Sequence, residues 1–470
     1  MSKYANVIVD ISSEKLDKTF QYLVPEYLQD KIQEGTCVDI PFGNRRLTGY
    51  VVELTDVPEF DISRLKPLIG IKRGSVRMES QLIALAAWMR KNYGATMNQA
   101  LKTVIPIKQK VKAIEHKRLR LAISHEEGKK KLAEIETKKN YHAQTRLLRE
   151  LLEQKELDYE IVTSKLGIST STIKTMAQKG ILNIEVSKEY RNPIDHLENK
   201  GYHLTLNQKQ QEVTKHIVGD MKRGEAKTYL LKGVTGSGKT EVYMELIAHT
   251  IAMGKQAIVL IPEIALTYQT VMRFYNRFGN RVSILNSRLS MGEKYDQYLR
   301  AKNGDIDIMI GPRSALFAPF TNLGMIIIDE EHESSYKSET TPRYHARETA
   351  IERARMYHAS VVLGSATPSI DSYYQASLGN YELLELTTRV YNNPLPSCEV
   401  IDLRKELKSG NRSILSYRLQ ELMDDRLKKK QQIMLFINRR GVSGIMSCRM
   451  CGHVVKCPHC EVSLSQHNNG

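Results

Sequence analysis

No stretch of this 470-residue chain approaches 18 consecutive apolar residues, the run a helix needs to cross a bilayer. Nor does the N-terminus, Met1–Asp10, hold the apolar core of a secretory signal peptide. Both absences argue against a membrane span and against export, so a cytoplasmic location is expected. Cysteine is scarce as well. The chain has six, too few for a disulfide scaffold, and four of them crowd into Cys448–Cys460, which suggests metal in a reducing compartment. Internal repeats and low-complexity tracts are missing, which excludes a solenoid. With 41% hydrophobic and 26% charged residues the composition is ordinary and globular. At about 150 residues per domain, the length allows about three domains.

What is present in excess is positive charge. The chain carries 69 Lys and Arg against 53 Asp and Glu, a formal net charge of +16, which favours a polyanionic partner. The excess is uneven, since residues 105–150 hold 13 basic and 6 acidic residues. A solvated helix face and a nucleic-acid contact both explain that run.

Apolar and polar residues alternate through Tyr4–Ile11, and Phe20–Val24, Cys37–Pro41 and Arg46–Leu54 are further short strands. Met78–Tyr93 has helical spacing and stops at Gly94. These features predict a small β-rich domain over 1–106. Ala143–Gln154 is an amphipathic helix, and Asp158–Leu182 reads helix, turn at Gly167, helix, with Ile181–Val186 alternating like a wing. A winged helix and an ordinary three-helix unit fit that pattern about equally. From Gly201 the signals turn to α/β, where Thr228–Lys232, Ala257–Ile261, Met325–Ile328 and Val361–Leu363 are apolar runs typical of a buried parallel sheet.

The first chemical motif lies between one such strand and the helix Lys239–Ala252. Gly233-Val-Thr-Gly236-Ser-Gly238-Lys239-Thr240 fits G-x-x-x-x-G-K-[ST]. Glycines there let backbone N–H groups close around phosphate oxygens at a helix N-terminus. Lys239 is placed to reach the β- and γ-phosphates of ATP and Thr240 to ligate Mg²⁺. A second carboxylate is needed for the metal, and Met325–Ile328 runs straight into Asp329-Glu330-Glu331-His332. Asp329 is the expected magnesium partner and Glu330 the expected base for the attacking water.

Other segments follow strands in a fixed order: Leu204–Gln208, with Gln208 the candidate reader of adenine, then Ile261–Thr267, Gly311–Phe317 and Gly364–Ser369. Together with the P-loop and the acidic box, these resemble the motifs of superfamily 2 helicases. Ser335-Tyr336-Lys337 and Pro342–Arg347 directly after the acidic box, and Asn438–Gly441 before C-x-x-C-x₅-C-x-x-C, narrow the resemblance to the primosomal protein N′ family of bacterial replication-restart helicases. Phe20–Pro25 and Val38–Gly43 resemble that family's domain for binding DNA 3′ ends.

The resemblance implies a set of DNA-binding residues. Phe20, Gln21, Gly43 and Lys66 fall on the pocket for the 3′ end of the nascent leading strand. Gln21 stands where Asp is common, so a charge-assisted bond to the 3′-hydroxyl is lost. Thr267 and Arg313 fall on strand-contacting motifs. Tyr336–Arg347 is similar to an aromatic-rich loop that couples single-strand binding to hydrolysis. There Tyr336, Tyr344 and His345 would stack on bases and Arg343 and Arg347 would hold phosphates.

Cys448, Cys451, Cys457 and Cys460 form two C-x-x-C knuckles, a strong Zn²⁺ signal. In the family each pairs with a further C-x-x-C, giving two zinc sites. The sequence ends at Gly470 before any such partner and before the arginine motifs of a second motor lobe. The expectation is a fragment or a truncated product, with little hydrolysis of its own.

The expected fold is multidomain α/β: a 3′-end-binding domain (1–106), a winged-helix domain with basic linker (107–192), a RecA-like lobe (200–395), the start of a second lobe (396–444) and a partial zinc region (445–470). The expected function is that of an ATP-dependent 3′-to-5′ DNA helicase acting on stalled or collapsed forks and D-loops to begin primosome assembly. ATP, Mg²⁺ and Zn²⁺ are the expected cofactors. Forked DNA with single-stranded gaps and a nascent 3′ end, single-stranded DNA-binding protein and other primosome proteins are the expected partners of a monomer close to the nucleoid. A double-strand DNA translocase and a non-catalytic fork-binding scaffold are the alternatives.

Overall fold

The computed structural model describes residues 3–11, 14–72, 75, 77–105, 114–137, 141–191, 193, 201, 205–390, 396–436, 448, 451 and 453–463. Pro106, the linker from 194 to 200, Leu204 and the Asn438–Gly441 motif lie outside the described residues. The chain divides into two units, Met1–Asn392 and Asn393–Gly470.

The first unit opens with strands β1 (Tyr4–Val9), β2 (Thr19–Leu23), β3 (Cys37–Phe42), β4 (Arg45–Thr55) and β5 (Gly70–Ile71), an antiparallel sheet in the order β2-β1-β4-β3-β5. Every residue of β1 is buried, because it is flanked by a strand on each side. Gly49 in β4 admits β1 at close range: an added Cβ would come 3.0 Å from the Ile8 carbonyl.

Helices Ser80–Tyr93 and Met97–Val104 follow, the second opened by a Thr96/Gln99 capping box. Their buried Leu82, Leu85, Met89, Leu101 and Val104 do not close on the small sheet alone. They enter one continuous core with Phe317, Phe320, Tyr336, Tyr344 and the helix Ala346–Tyr357. An ion pair of 2.7 Å between Glu79 and Lys302 closes the edge of that contact. The helical half expected to complete a separate N-terminal domain thus packs against the α/β part of the chain.

Strands β6 (Ile114–Leu121), β7 (Glu156–Asp158) and β8 (Leu182–Glu189) form a second antiparallel sheet with β6 in the centre. Around it lie helices His125–Glu136, His142–Glu153, Tyr159–Ser164 and Thr170–Gln178. Gly167 and Gly180 have φ of 60° and 66°, the left-handed turns that end the last two helices. β6 was not anticipated, since its sequence IEHKRLRL reads as part of the basic run. Arg118 and Arg120 pair across the sheet with Glu156, and Arg120 also with Glu185. Cross-strand charge, with only Leu119 fully buried among 117–120, holds a strand that hydrophobic pattern conceals.

The α/β part is a seven-stranded parallel sheet of β9 (Thr228–Gly233), β10 (Gln256–Leu260), β11 (Val282–Ile284), β12 (Ile308–Gly311), β13 (Leu323–Ile328), β14 (Ser360–Ser365) and β15 (Glu382–Leu386), in the order β11-β12-β10-β13-β14-β9-β15. Because side chains alternate along a strand, Leu230, Ile258, Leu260, Ile326 and Ile328 fill the core on one face. Tyr229, Leu231, Ala257, Val259, Met325 and Ile327 fill the core on the other. Burial on both faces is why these strands read as unbroken apolar runs.

In the second unit the described residues contain helices Leu403–Lys408 and Tyr417–Lys428 and a β-bridge from Lys456 to Ser463.

Candidate nucleotide site and nucleic-acid clefts

β9 ends at Gly233, and the turn to the helix Lys239–Ala252 passes through Gly236 (φ 82°) and Gly238 (φ 78°), conformations that favour glycine. At Gly233 an added Cβ would stand 2.6 Å from Ser237 Oγ and 2.9 Å from Lys239 Cγ. Lys239 Nζ donates to the Gly233 carbonyl at 3.0 Å, and buried Ser237 Oγ has no hydrogen-bond partner. An orphaned hydroxyl and a lysine held only by backbone, around a left-handed glycine turn, fit a phosphate group. Thr240 is the next residue, half-buried in the first helical turn.

The glutamine that reaches this turn is not the expected one. Gln208 is exposed and bonds Glu212 one turn along its own helix, at 3.2 Å. Gln210 is buried, forms a capping box with Asn207, and donates Nε2 to the Ser237 carbonyl at 2.9 Å. The Asn207-x-x-Gln210 capping pattern was the available signal.

Asp329 leaves β13 two strands away from β9, with β14 between them. Its Oδ1 accepts from the Tyr243 hydroxyl at 3.0 Å. Burial, then the charge of Glu330, pushes the Asp329 carboxyl above its ordinary value, while the Tyr243 bond and Lys239 oppose the shift. Burial holds Tyr243 well above the usual phenol range, so it remains a donor. Glu330 adopts φ 47°, a strained state for a non-glycine residue of the kind that clusters at functional sites. His332 Nδ1 lies 2.7 Å from Ser365 Oγ at the end of β14.

Glu331, to which the sequence assigned no role, is buried. Its carboxylate accepts from the Ser369 N–H (2.7 Å), Ser372 Oγ (2.8 Å) and Arg347 Nη1 (3.2 Å). Arg347 itself is buried and also donates to Ser369 Oγ and Ser372 Oγ. The expectation that Arg347 grips phosphate is therefore corrected: its guanidinium compensates a buried carboxylate and ties the acidic box to Ser369–Ser372.

Tyr336 and Tyr344 are corrected likewise, since both rings are buried and present no face for base stacking. The Tyr336 hydroxyl reaches the carbonyls of Asp329 (2.7 Å) and Leu260 (3.0 Å). Tyr344 sits edge-on to Phe317, 5.6 Å between centroids, beneath the Arg313 guanidinium at 5.2 Å, and burial pushes its pKa up to about 12. Arg313 also donates to the Ser335 carbonyl at 3.1 Å. Arg343 is exposed, and His345 caps the helix Ala346–Tyr357 through Nδ1. Thr267 is exposed and caps the helix Tyr268–Phe278, accepting from the Thr270 N–H. Glu263, Ser287, Arg313, Tyr336 and Tyr344 line a cavity of about 370 Å³ next to these segments.

A second cavity, of about 360 Å³, lies on the small antiparallel sheet and brings together Phe20, Gln21, Gly43 and Lys66. Phe20 packs edge-on against Phe42 at 5.1 Å, with the Lys18 ammonium 5.5 Å over its ring. Gly43 turns with φ 60°, and Lys66 Nζ donates to its carbonyl at 3.4 Å. Gln21 is mostly committed to structure: its Nε2 donates to the Val57 carbonyl (3.2 Å) and its Oε1 accepts from the Glu59 N–H (2.7 Å). It holds the 57–59 loop beside the cleft.

At the cysteine knuckles the Cys448 N–H is bonded to the His453 carbonyl (2.7 Å) and the Cys457 N–H to that of Val462 (2.8 Å). A hydrogen bond from the His459 backbone, then one from Cys460, lowers the Cys457 thiol pKa. Among the described residues, the group with three or more ligand atoms within 4.8 Å is His216, Asp220 and Glu382. The structure does not gather the four sulfurs into one site.

Comparison with known proteins gives two family matches: a 3′ DNA-binding domain over residues 6–106 and a DEAD/DEAH box helicase over residues 207–376. Replication restart protein PriA of Bacillus subtilis is 36% identical over 99% of this chain and 66% of its own length. The chain belongs to the PriA family. PriA of Chlamydia pneumoniae is 35% identical over 99% of this chain and 62% of its own length, so the chain spans less than two thirds of these PriA relatives. RecG solved on a three-way DNA junction matches 49% of this chain and 32% of its own at 22% identity and a TM-score of 0.32. Among the described residues, no helix is long and apolar enough to cross a membrane.

Proposed function

We propose that this PriA-family chain carries the fork-recognising and nucleotide-binding parts of an ATP-dependent 3′-to-5′ DNA helicase that acts on stalled forks and D-loops to restart replication. One observation supports this most: the P-loop and the acidic box stand at the same edge of one parallel sheet, in the same compact unit as the Phe20–Lys66 cleft. Ligands bind at that edge of such sheets.

In this reading Lys239 leaves the Gly233 carbonyl for the β- and γ-phosphates, and backbone N–H groups of the glycine turn hold the remaining oxygens. Bound Mg²⁺ would supply neutralising charge on those phosphates, with Thr240 and Asp329 to hold it. Tyr243 fixes the Asp329 carboxylate, and Glu330 orients the attacking water. Gln210 takes the adenine-reading role at the P-loop. Phe20 offers an aromatic face to a terminal base, and Lys18 and Lys66 offer cations to its phosphate. Thr267, Arg313 and exposed Arg343 line the track for the other strand.

We read β6–β8 and their helices as a winged helix, with Thr170–Gln178 as its recognition helix. The two knuckles are read as half-sites for Zn²⁺. Single-stranded DNA-binding protein, other primosome proteins and a monomeric, nucleoid-associated state complete the proposal.

The test is nucleotide and fork binding by the chain and by Lys239→Ala. Loss of nucleotide binding with fork affinity retained, and tighter binding to forks whose nascent strand ends in a 3′-hydroxyl at the branch, are expected. Equal affinity for forks with and without that end refutes the assignment of the cleft.

A further inference from the structure

We infer that Tyr93, outside every helicase motif, is the joint that passes occupancy of the 3′-end cleft to the nucleotide site. The inference rests on the function proposed above. Tyr93 ends the helix Ser80–Tyr93, at the point where the N-terminal helices meet the α/β part. The Lys337 ammonium lies 5.4 Å over its ring, and Trp88 packs against it at 5.7 Å. Burial raises the Tyr93 hydroxyl above its ordinary pKa, and hydrogen bonding to the His345 backbone and the Thr349 side chain opposes that shift. Lys337 and His345 are paired by a β-bridge that closes the loop between them, so one side chain from the N-terminal region touches both legs of that loop.

Each leg runs directly to the acidic box. Tyr336, next to Lys337, bonds the Asp329 carbonyl. Arg347, two residues past His345, bonds Glu331, Ser369 and Ser372. In the other direction, Asp17 accepts from Arg90 Nε at 2.7 Å and from the Met97 N–H at 2.6 Å, and so binds both ends of the Tyr93 turn. Asp17 immediately precedes Lys18, whose ammonium covers the Phe20 ring in the cleft. Side-chain contacts joined by short stretches of backbone thus lead from Phe20 and Lys18 through Asp17 and Arg90 to the helix end that carries Tyr93, and from Tyr93 through Lys337 and Tyr336 to Asp329.

Coupling of this kind is a reciprocal free energy between two binding sites, and the loop closed by Lys337 and His345 is the element both sites bias. A strand end that displaces Lys18 from Phe20 pulls on Asp17 and therefore on the helix end that carries Tyr93. Tyr93 is a positioning residue: it touches neither nucleotide nor DNA.

The experiment uses the full chain with a fluorescent ATP analogue and Mg²⁺. Nucleotide Kd is measured on forks with and without a 3′-hydroxyl end at the branch, and fork Kd is measured without nucleotide. For the wild-type chain the two nucleotide Kd values should differ at least about fivefold, the lower end of ordinary coupling. Tyr93→Leu should bring the ratio to about one while fork discrimination and the nucleotide Kd without DNA stay within about twofold. Lys337→Gln, on an exposed side chain, should shrink the ratio with no effect on thermal melting, and Tyr93→Phe should recover most of it. A wild-type ratio kept by both Tyr93→Leu and Lys337→Gln overturns the joint, as does a wild-type ratio of one in a chain that discriminates 3′ ends. Absence of 3′-end discrimination in the wild type instead overturns the proposed function, and the joint with it.

Discussion

Gly364, at the end of β14, is predicted to be intolerant of a single methyl group, and Tyr243 is the reason. A Cβ there would fall 2.7 Å from Tyr243 Cζ and nearer still to its hydroxyl oxygen, where ordinary contact begins about 0.7 Å farther out. Tyr243 is buried, with side chains of the sheet's second core around it. The ring can yield only by displacing them, which costs about 1–3 kcal/mol for overpacking. The same movement breaks the 3.0 Å bond to Asp329, and a hydrogen bond to a charged group contributes about 1.5–3 kcal/mol. Gly364→Ala should therefore destabilise the first unit by about 3 kcal/mol or more in urea denaturation and weaken Mg²⁺-dependent nucleotide binding more than binding without Mg²⁺. Tyr243→Phe removes the atom nearest the new methyl, so the double variant should be less destabilised than the two single losses added, by about 1 kcal/mol. Strict additivity, or a Gly364→Ala loss below about 0.5 kcal/mol, refutes the geometry.

Arg347→Gln strands the Glu331 carboxylate in the interior and should cost about 3–5 kcal/mol by chemical denaturation, far more than a phosphate-contacting surface arginine would. Burial lowers the His345 pKa below the ordinary 6.5, so the unfolded chain takes up the proton first; stability should fall as pH drops below 6.5, and His345→Asn should flatten that part of a melting-temperature profile. Gln210→Ala should lower affinity for adenine nucleotide while Gln208→Ala leaves it unchanged in the same titration; the reverse order would restore the reading from sequence. Fork affinity should fall steeply with salt, and Phe20→Ala or Lys66→Ala should weaken only forks that present a 3′ end, as read by fluorescence anisotropy.

Where backbone and burial dictate sequence, the sequence was legible. Lys239–Ala252 has the bounds read from its pattern, and the runs at 228, 257, 325 and 361 all lie in parallel strands because burial on both faces leaves only apolar residues. The Phe20, Gly43 and Lys66 cleft was reached by resemblance and is assembled by the fold. The misses share one cause: polarity does not reveal direction. Tyr336, Tyr344 and Arg347 look like ligand-binding residues in a loop, yet tertiary packing turns them inward. Gln208 and Gln210 are two positions apart on a helix, and only the Asn207 cap decides which faces the P-loop. β6 hides under basic residues whose partners come from 156 and 185.

The strand order has a consequence during synthesis. β9, which carries the P-loop, pairs only with β14 and β15, made more than a hundred residues later. β11, β12, β10 and β13 pair in sequence with one another, and only β13 waits for a later neighbour, β14. On the ribosome the half of the sheet without the P-loop can therefore assemble first, and β9 waits with an unpaired backbone until residues 360–386 emerge. Contacts of such long sequence separation form slowly and leave edges exposed to misassembly. The P-loop strand is thus expected to be seated in its sheet only after β14 has left the exit tunnel.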